Sequence, residues 1–266
     1  MPVLGFIGTG NMGGALARAA AGLGENRLLL ANRSREKAEA LAAEIGGEVT
    51  DNETAARTAD YLFLGVKPHL LPGMLTGLRE VLSGREGRFV LVSMAAGTEI
   101  SRVRELAGGE WPVIRIMPNT PCAIGEGMTL YACSENVTAE EEQRFLAAMA
   151  GAGRFARLEE RLIDAGSAVS GCGPAFVDLF VEALADGGVA CGLPRAQAME
   201  FAAQMTVGAA RLILESGKHP GQLKDAVCSP GGSTIQGVRA LESAAFRAAV
   251  MNAVIAAFEK TSELGK

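Results

Sequence analysis

The chain has 266 residues, 48% of them hydrophobic and 21% charged, enough for one large domain or two moderate ones. Its net charge of −5 offers no attraction to nucleic acid or to an anionic membrane. Five cysteines lie far apart with no C-x-x-C pair, and the only histidines are His69 and His219, so neither a metal site nor a disulfide framework is expected.

Reduced thiols, the lack of a basic leader and the lack of an apolar run of about 18 residues together predict a cytoplasmic protein without a membrane span. From the N-terminus, the apolar run Val3 to Ile7 ends at Gly8, and Gly8, Gly10 and Gly13 form G-x-G-x-x-G before a helical stretch. A second strand follows at Arg27 to Ala31. Strand, glycines, helix and strand in that order are the context of a dinucleotide-binding fingerprint. Gly10 would let the backbone approach a pyrophosphate, and the helix beginning near Asn11 would aim its free N–H groups at that anion. After the second strand an NAD-selective site usually carries Asp or Glu. Here Asn32-Arg33-Ser34-Arg35 stands there, with Lys37 one turn on from Ser34. No carboxylate opposes a 2′-phosphate, and Arg33 and Ser34 can donate to one. NADPH is therefore the expected cofactor, with NADH as the alternative; a solvated basic helix start is the bland reading of the same residues.

Further strands are expected at Ala59 to Val66, Arg88 to Ser93, Val113 to Met117 and near Met128 to Ala132. Helices alternate with them, the last opening on a Thr138 cap. The pattern predicts an α/β, mostly parallel Rossmann-like sheet over residues 1–160, with ligands at the carboxyl ends of its strands.

Residues 161–266 read as helix after helix, an all-α domain. Asp178, Glu182 and Asp186 form an acidic stripe, and Phe246, Val250, Val254 and Phe258 form one face of the last helix. Helices apolar on most sides need burial that a bundle of this size struggles to provide. A homodimer through these helices is expected, against a self-sufficient monomeric bundle. Within them SPGGSTIQG (Ser229 to Gly237) places Gly231, Gly232, Ser233 and Thr234 at a turn before a helix, a second cradle for an anion.

Over its whole length the chain resembles the pyrroline-5-carboxylate reductase family. The resemblance rests on GFIGTGNMG, LFLGVKP, MPNTP, SGCGPAF, HPGQLKDAVCSPGGSTI and ALES…F…NAV; the block from Asp225 to Glu242 is its specific part. It implies NAD(P)H-dependent reduction of the C=N bond of 1-pyrroline-5-carboxylate to L-proline. It implies dinucleotide contacts at Ile7, Gly8, Thr9, Gly10, Asn11, Met12, Ser34, Asn52, Val66, Lys67, Pro68 and Ala96. Asn119 and Thr120 would lie near the nicotinamide. Gly231, Gly232, Ser233 and Thr234 would bind the substrate, Ser233 and Thr234 offering backbone N–H groups to its carboxylate, with the Thr234 hydroxyl near the ring nitrogen. The family further implies an interlocked dimer, often assembled into a decamer. Three positions depart from commoner forms of the pattern: Cys172, Ala226, and Gly217-Lys218 ahead of His219.

The residues agree with imine reduction in one respect. A cyclic imine can arrive protonated, and the chain is poor in general acids beyond two histidines and Tyr61 and Tyr131. Orientation is then the main requirement. Thr234 reads equally well as an ordinary helix cap, Lys67 before Pro68 as a cofactor-side loop residue, and His219 as a cap. A β-hydroxyacid-type dehydrogenase, another imine reductase, or a dinucleotide sensor without turnover are the competing readings.

Overall fold

Strands whose alternate residues face opposite layers build the first unit. In the computed structural model, which describes residues 1–264, β1 (Val3–Ile7) leads through a glycine turn into α1 (Asn11–Ala21), followed by β2 (Arg27–Ala31), α2 (Arg35–Ile45), β3 (Glu48–Val49) and α3 (Asn52–Thr58). Next come β4 (Tyr61–Leu64), α4 (Leu71–Ser83), β5 (Val90–Ser93), α5 (Ile100–Ala107), β6 (Val113–Met117), β7 (Gly127–Cys133), α6 (Ala139–Ala148), β8 (Gly153–Arg157) and α7 (Ile163–Ser170). The eight strands lie in the order β3-β2-β1-β4-β5-β6-β7-β8. Pairing is parallel from β3 to β6; β7 runs antiparallel to β6, and β8 runs parallel to β7. Strand order reverses between β2-β1 and β4, so the carboxyl ends of β1 and β4 border a crevice.

In β4, Leu62 and Leu64 join the layer of α3, α4 and α5. Tyr61 and Phe63 join the opposite layer of α1, α2 and α6. Phe63 stacks on Phe6 of β1 with ring centroids 4.3 Å apart. Two-sided burial explains why these strands are apolar at every position. The helix α6 closes its own N-terminus with a capping box between Thr138 and Glu141, as its sequence predicts.

Two strands are invisible to the sequence reading. β3 has two residues, and β8 is an edge strand whose arginines interrupt any apolar period. The helix α7, which falls within the expected helical half, sits in the compact unit formed by Met1–Cys172 and the chain from Ala257 on. One reason is Arg115 of β6, 1% exposed, which pairs with Asp164 of α7 and lies 3.5 Å from Glu160. Glu160 in turn accepts the backbone N–H of Ile100 at 2.6 Å.

The second compact unit is Gly173–Ala256. It contains α8 (Gly173–Ala190), α9 (Arg195–Ser216), α10 (Pro220–Ala226), α11 (Ser233–Ser243) and most of α12 (Phe246–Leu264). α8 and α9 form a hairpin through Gly192, whose φ of +99° suits only glycine. The hairpin is closed by an Asp186–Arg195 ion pair. His219 caps α10, its Nδ1 accepting the Gly221 N–H. In α8 and α9 only the alanines 185, 198 and 202 are buried, while Leu179 is 67% and Leu214 63% exposed, and Met251 of α12 is 59% exposed. One expectation needs correction. The helical run over Glu160–Ala190 is long and apolar enough to cross a membrane by length and composition, although it is broken by a turn at Gly171–Cys172.

Removing one partner of a buried ion pair leaves the other charge uncompensated. Arg115→Ala should therefore lower unfolding free energy by about 3 kcal/mol, read as a shift in the urea midpoint. A shift indistinguishable from that of Arg161→Ala, at an exposed pair, would show that the pair does not hold α7 to the sheet.

Candidate functional site

The main cavity, about 1120 Å³, opens at the carboxyl ends of β1, β2 and β4. Its geometry begins with three glycines. Gly8 has φ +101°, and a Cβ there would lie 2.5 Å from the Gly65 carbonyl oxygen. A Cβ on Gly13 would lie 2.1 Å from the Gly8 oxygen. Both glycines are thus demanded by the protein's own backbone. Gly10 differs: a Cβ there would meet nothing within 4 Å, and the residue is the N-cap of α1, with no acidic side chain in the first turn. The free space beside an unneutralised helix start is where an anion's oxygens can approach the backbone. The Thr9 hydroxyl beside it is buried without a partner.

Of the expected cofactor residues, the cavity brings together Ile7, Gly8, Gly10, Asn32, Arg33, Ser34, Asn52, Val66 and Lys67. Thr9, Asn11 and Met12 lie in the glycine turn and the first residues of α1 and do not line the cavity. Pro68 lines a second cavity with Gly97 and Thr98, next to the half-buried Ala96. Arg35 and Lys37 add positive charge to the main cavity, though Arg35 is bonded to Glu39. Sequence reasoning missed Asp51 and Glu53, two carboxylates on the same rim. The signal was present, because Asp51 is the N-cap of α3 and accepts from the Thr54 N–H at 2.7 Å. A dinucleotide fits these residues: an open glycine at a helix start for the pyrophosphate, and Arg33 and Ser34 for a 2′-phosphate. Ser34 is the N-cap of α2, yet its side chain makes no capping bond, which leaves the hydroxyl available.

Asn119 and Thr120 follow β6. Thr120 is exposed, whereas Asn119 is 8% exposed and bonded on both sides. Its Nδ2 donates to the Ser170 carbonyl at 3.0 Å, and its Oδ1 accepts the Met128 N–H at 3.0 Å. These bonds tie the segment after β6 to β7 and to the end of α7. The two tyrosines are also engaged. Tyr61 donates to the Glu141 carbonyl at 2.7 Å, and burial pushes its pKa up to about 12. Tyr131 donates to Glu142, and burial and that carboxylate push it to about 12. Neither is poised as an acid at neutral pH.

In the helical unit, Gly231 has φ +70° and Gly232 is the N-cap of α11. The Gly232 N–H bonds back to the Ser229 carbonyl at 3.0 Å. Ser233 and Thr234 open the helix, both exposed, with no acidic residue in the first turn and no side-chain cap. The arrangement repeats that of α1: a glycine cap, free N–H groups, and no carboxylate to neutralise the dipole.

Comparison with known proteins agrees with both halves. Residues 160–264 match the family model for pyrroline-5-carboxylate reductase dimerisation, and residues 3–97 match that for NADP oxidoreductase, coenzyme F420-dependent. The chain is 40% identical to a pyrroline-5-carboxylate reductase of Arabidopsis thaliana, over 99% of this chain and 95% of the relative. It is 39% identical to the enzyme of that name from Escherichia coli, over 99% and 98%. Among solved structures, pyrroline carboxylate reductase of Plasmodium falciparum, with NADP bound, superposes with a TM-score of 0.89 at 33% identity, covering 100% of this chain and 98% of that one. The match runs along nearly the whole length of both this chain and these relatives, and the chain belongs to the pyrroline-5-carboxylate reductase family.

Proposed function

We propose that this protein reduces 1-pyrroline-5-carboxylate to L-proline with NADPH, NADH being the weaker donor, in proline biosynthesis. The observation that carries the reading is the match at about 40% identity along the whole chain to relatives named for that activity. When bound, NADPH supplies the hydride. The chain's own residues hold it: the α1 N-terminus and Gly10 at the pyrophosphate, Arg33 and Ser34 at the 2′-phosphate, Asn52, Val66 and Lys67 along the wall. At α11 the free N–H groups of Ser233 and Thr234 hold the substrate carboxylate, with the Thr234 hydroxyl toward the ring nitrogen. A cyclic imine protonated on nitrogen needs no side chain to deliver a proton first, which suits a chain whose two tyrosines are tied into the fold.

The occupant of the exposed apolar helix faces is a second copy, giving a homodimer that can assemble further to a decamer. A bilayer is a poor occupant. Asp178, Glu182 and Asp186 lie on one face of α8, and each carboxylate at the centre of a membrane costs roughly 3 kcal/mol. A cytoplasmic location fits five cysteines that are all free. Nucleic acid is not a partner on grounds of charge.

Purified protein should oxidise NADPH on addition of pyrroline-5-carboxylate, and Arg33→Asp should shrink the NADPH-over-NADH preference about tenfold by removing a charge-assisted bond. No turnover with either nucleotide defeats the reading of the reaction, and an unchanged preference defeats that of Arg33. Thr234→Ala should lower kcat about tenfold, or about 1.4 kcal/mol, while leaving NADPH affinity alone; kinetics equal to the parent's would reduce Thr234 to a helix residue. Light scattering should give at least twice the 27.5 kDa chain mass, and a monomer at micromolar concentration would refute the helix-mediated dimer.

A further inference from the structure

Asn32 stands where an NAD-selective site would place its diol-reading carboxylate, but its carboxamide is turned inward. Its Oδ1 accepts the Thr9 N–H at 3.1 Å, and its Nδ2 donates to the Ser34 carbonyl at 2.9 Å. The first bond continues the pairing of β1 with β2. Gly8 N–H bonds to the Ala31 carbonyl at 2.8 Å, and the next N–H, that of Thr9, bonds to the next residue's side chain. The second bond fixes the turn that starts α2. The Ser34 carbonyl also accepts the Lys37 N–H at 3.2 Å, so the cap is held through its carbonyl while its hydroxyl makes no capping bond.

We propose that Asn32 is a positioning residue whose carboxamide couples the pyrophosphate loop to the loop that reads the 2′-phosphate, and so sets the preference for NADPH. The proposal rests on the dinucleotide reading above. Both bonds need a group that accepts on one side and donates on the other, and a carboxamide supplies both. Aspartate could accept from Thr9 but could not donate to Ser34, and it would place a negative charge between a carbonyl and a phosphate. Leucine has similar volume and makes neither bond.

The test is binding of NADPH and of NADH, by calorimetry without substrate, to the parent, Asn32→Leu and Asn32→Asp. The parent should prefer NADPH, and Asn32→Leu should lose about tenfold of that preference, the worth of one hydrogen bond. Asn32→Asp, which keeps the Thr9 bond, should hold NADH affinity near the parent's while NADPH affinity falls. Thermal unfolding of the unliganded variants identifies any protein that has failed to fold, and an unfolded Asn32→Leu leaves Asn32→Asp to decide. Equal losses for both nucleotides would make Asn32 a merely structural residue and overturn the proposal. A larger loss for NADH would make it a direct ribose ligand, with the same consequence. A parent that binds both nucleotides equally well overturns the NADPH reading and this inference together, whereas a parent that prefers NADPH beside unaltered variants overturns this inference alone.

Discussion

The meeting of three backbones at the Gly8 carbonyl is the constraint on which the first unit depends. A Cβ at Gly13 would stand 2.1 Å from that oxygen, and one at Gly65 would stand 2.5 Å from it. Gly8 N–H bonds to the end of β2, and Gly65 N–H bonds to the end of β1. With no side chains in the way, α1 starts directly above the strand ends. The crevice that opens there is the cavity lined by Gly10, Arg33 and Lys67. Alanine at either flanking glycine would push the helix away from the sheet and close or tilt the cavity. The chemistry on one side of this crevice is therefore decided by atoms that are absent.

Helix starts in this chain differ in how their positive ends are satisfied, and the two that follow a glycine cap stand apart. α6 carries Glu140, Glu141 and Glu142 in its first turn and a reciprocal Thr138–Glu141 cap, so its positive end is spent internally. α3 is capped by Asp51. α1 and α11 begin after glycine with neither cap nor carboxylate. Unpaired N–H groups at a helix start cost stability unless water or an anion satisfies them, and at these two glycine-capped starts the proposed ligands carry phosphate and carboxylate. In the proposed reading one physical device serves two different anions.

Much of this was legible in the residues. Apolar runs of four or five residues between glycine-bounded helices announce a parallel sheet, because two-sided burial leaves no polar alternation to mislead the reading. The fingerprint and the SPGGSTI loop are legible because glycine and cap residues act locally. What escaped depends on contacts distant in sequence. β8 becomes a strand because β7 offers it a partner 26 residues away at Gly127↔Gly153, not because GRFAR has strand character. Asn119 looks like a ligand residue in MPNTP, and only the fold shows its amide bonded to Ser170 and Met128. Asn32 is similar: the absence of an acid was readable, the two inward bonds were not. The apolar length of Glu160–Ala190 was underestimated because glycine, serine and aspartate interrupt the run in the sequence without removing its net hydropathy.

The sheet's two borders carry a consequence for association. On one side lies β3, only two residues long, and on the other β8, whose Arg154 and Arg157 are exposed. A short strand offers an incoming chain too few rungs, and charged side chains on an edge strand, here Arg154 and the Glu142-paired Arg157, disfavour addition of another strand. Strand-to-strand addition, the route by which open sheets aggregate, is thus blocked at both ends. The proposed association through the helices would therefore meet little competition from the borders of the sheet.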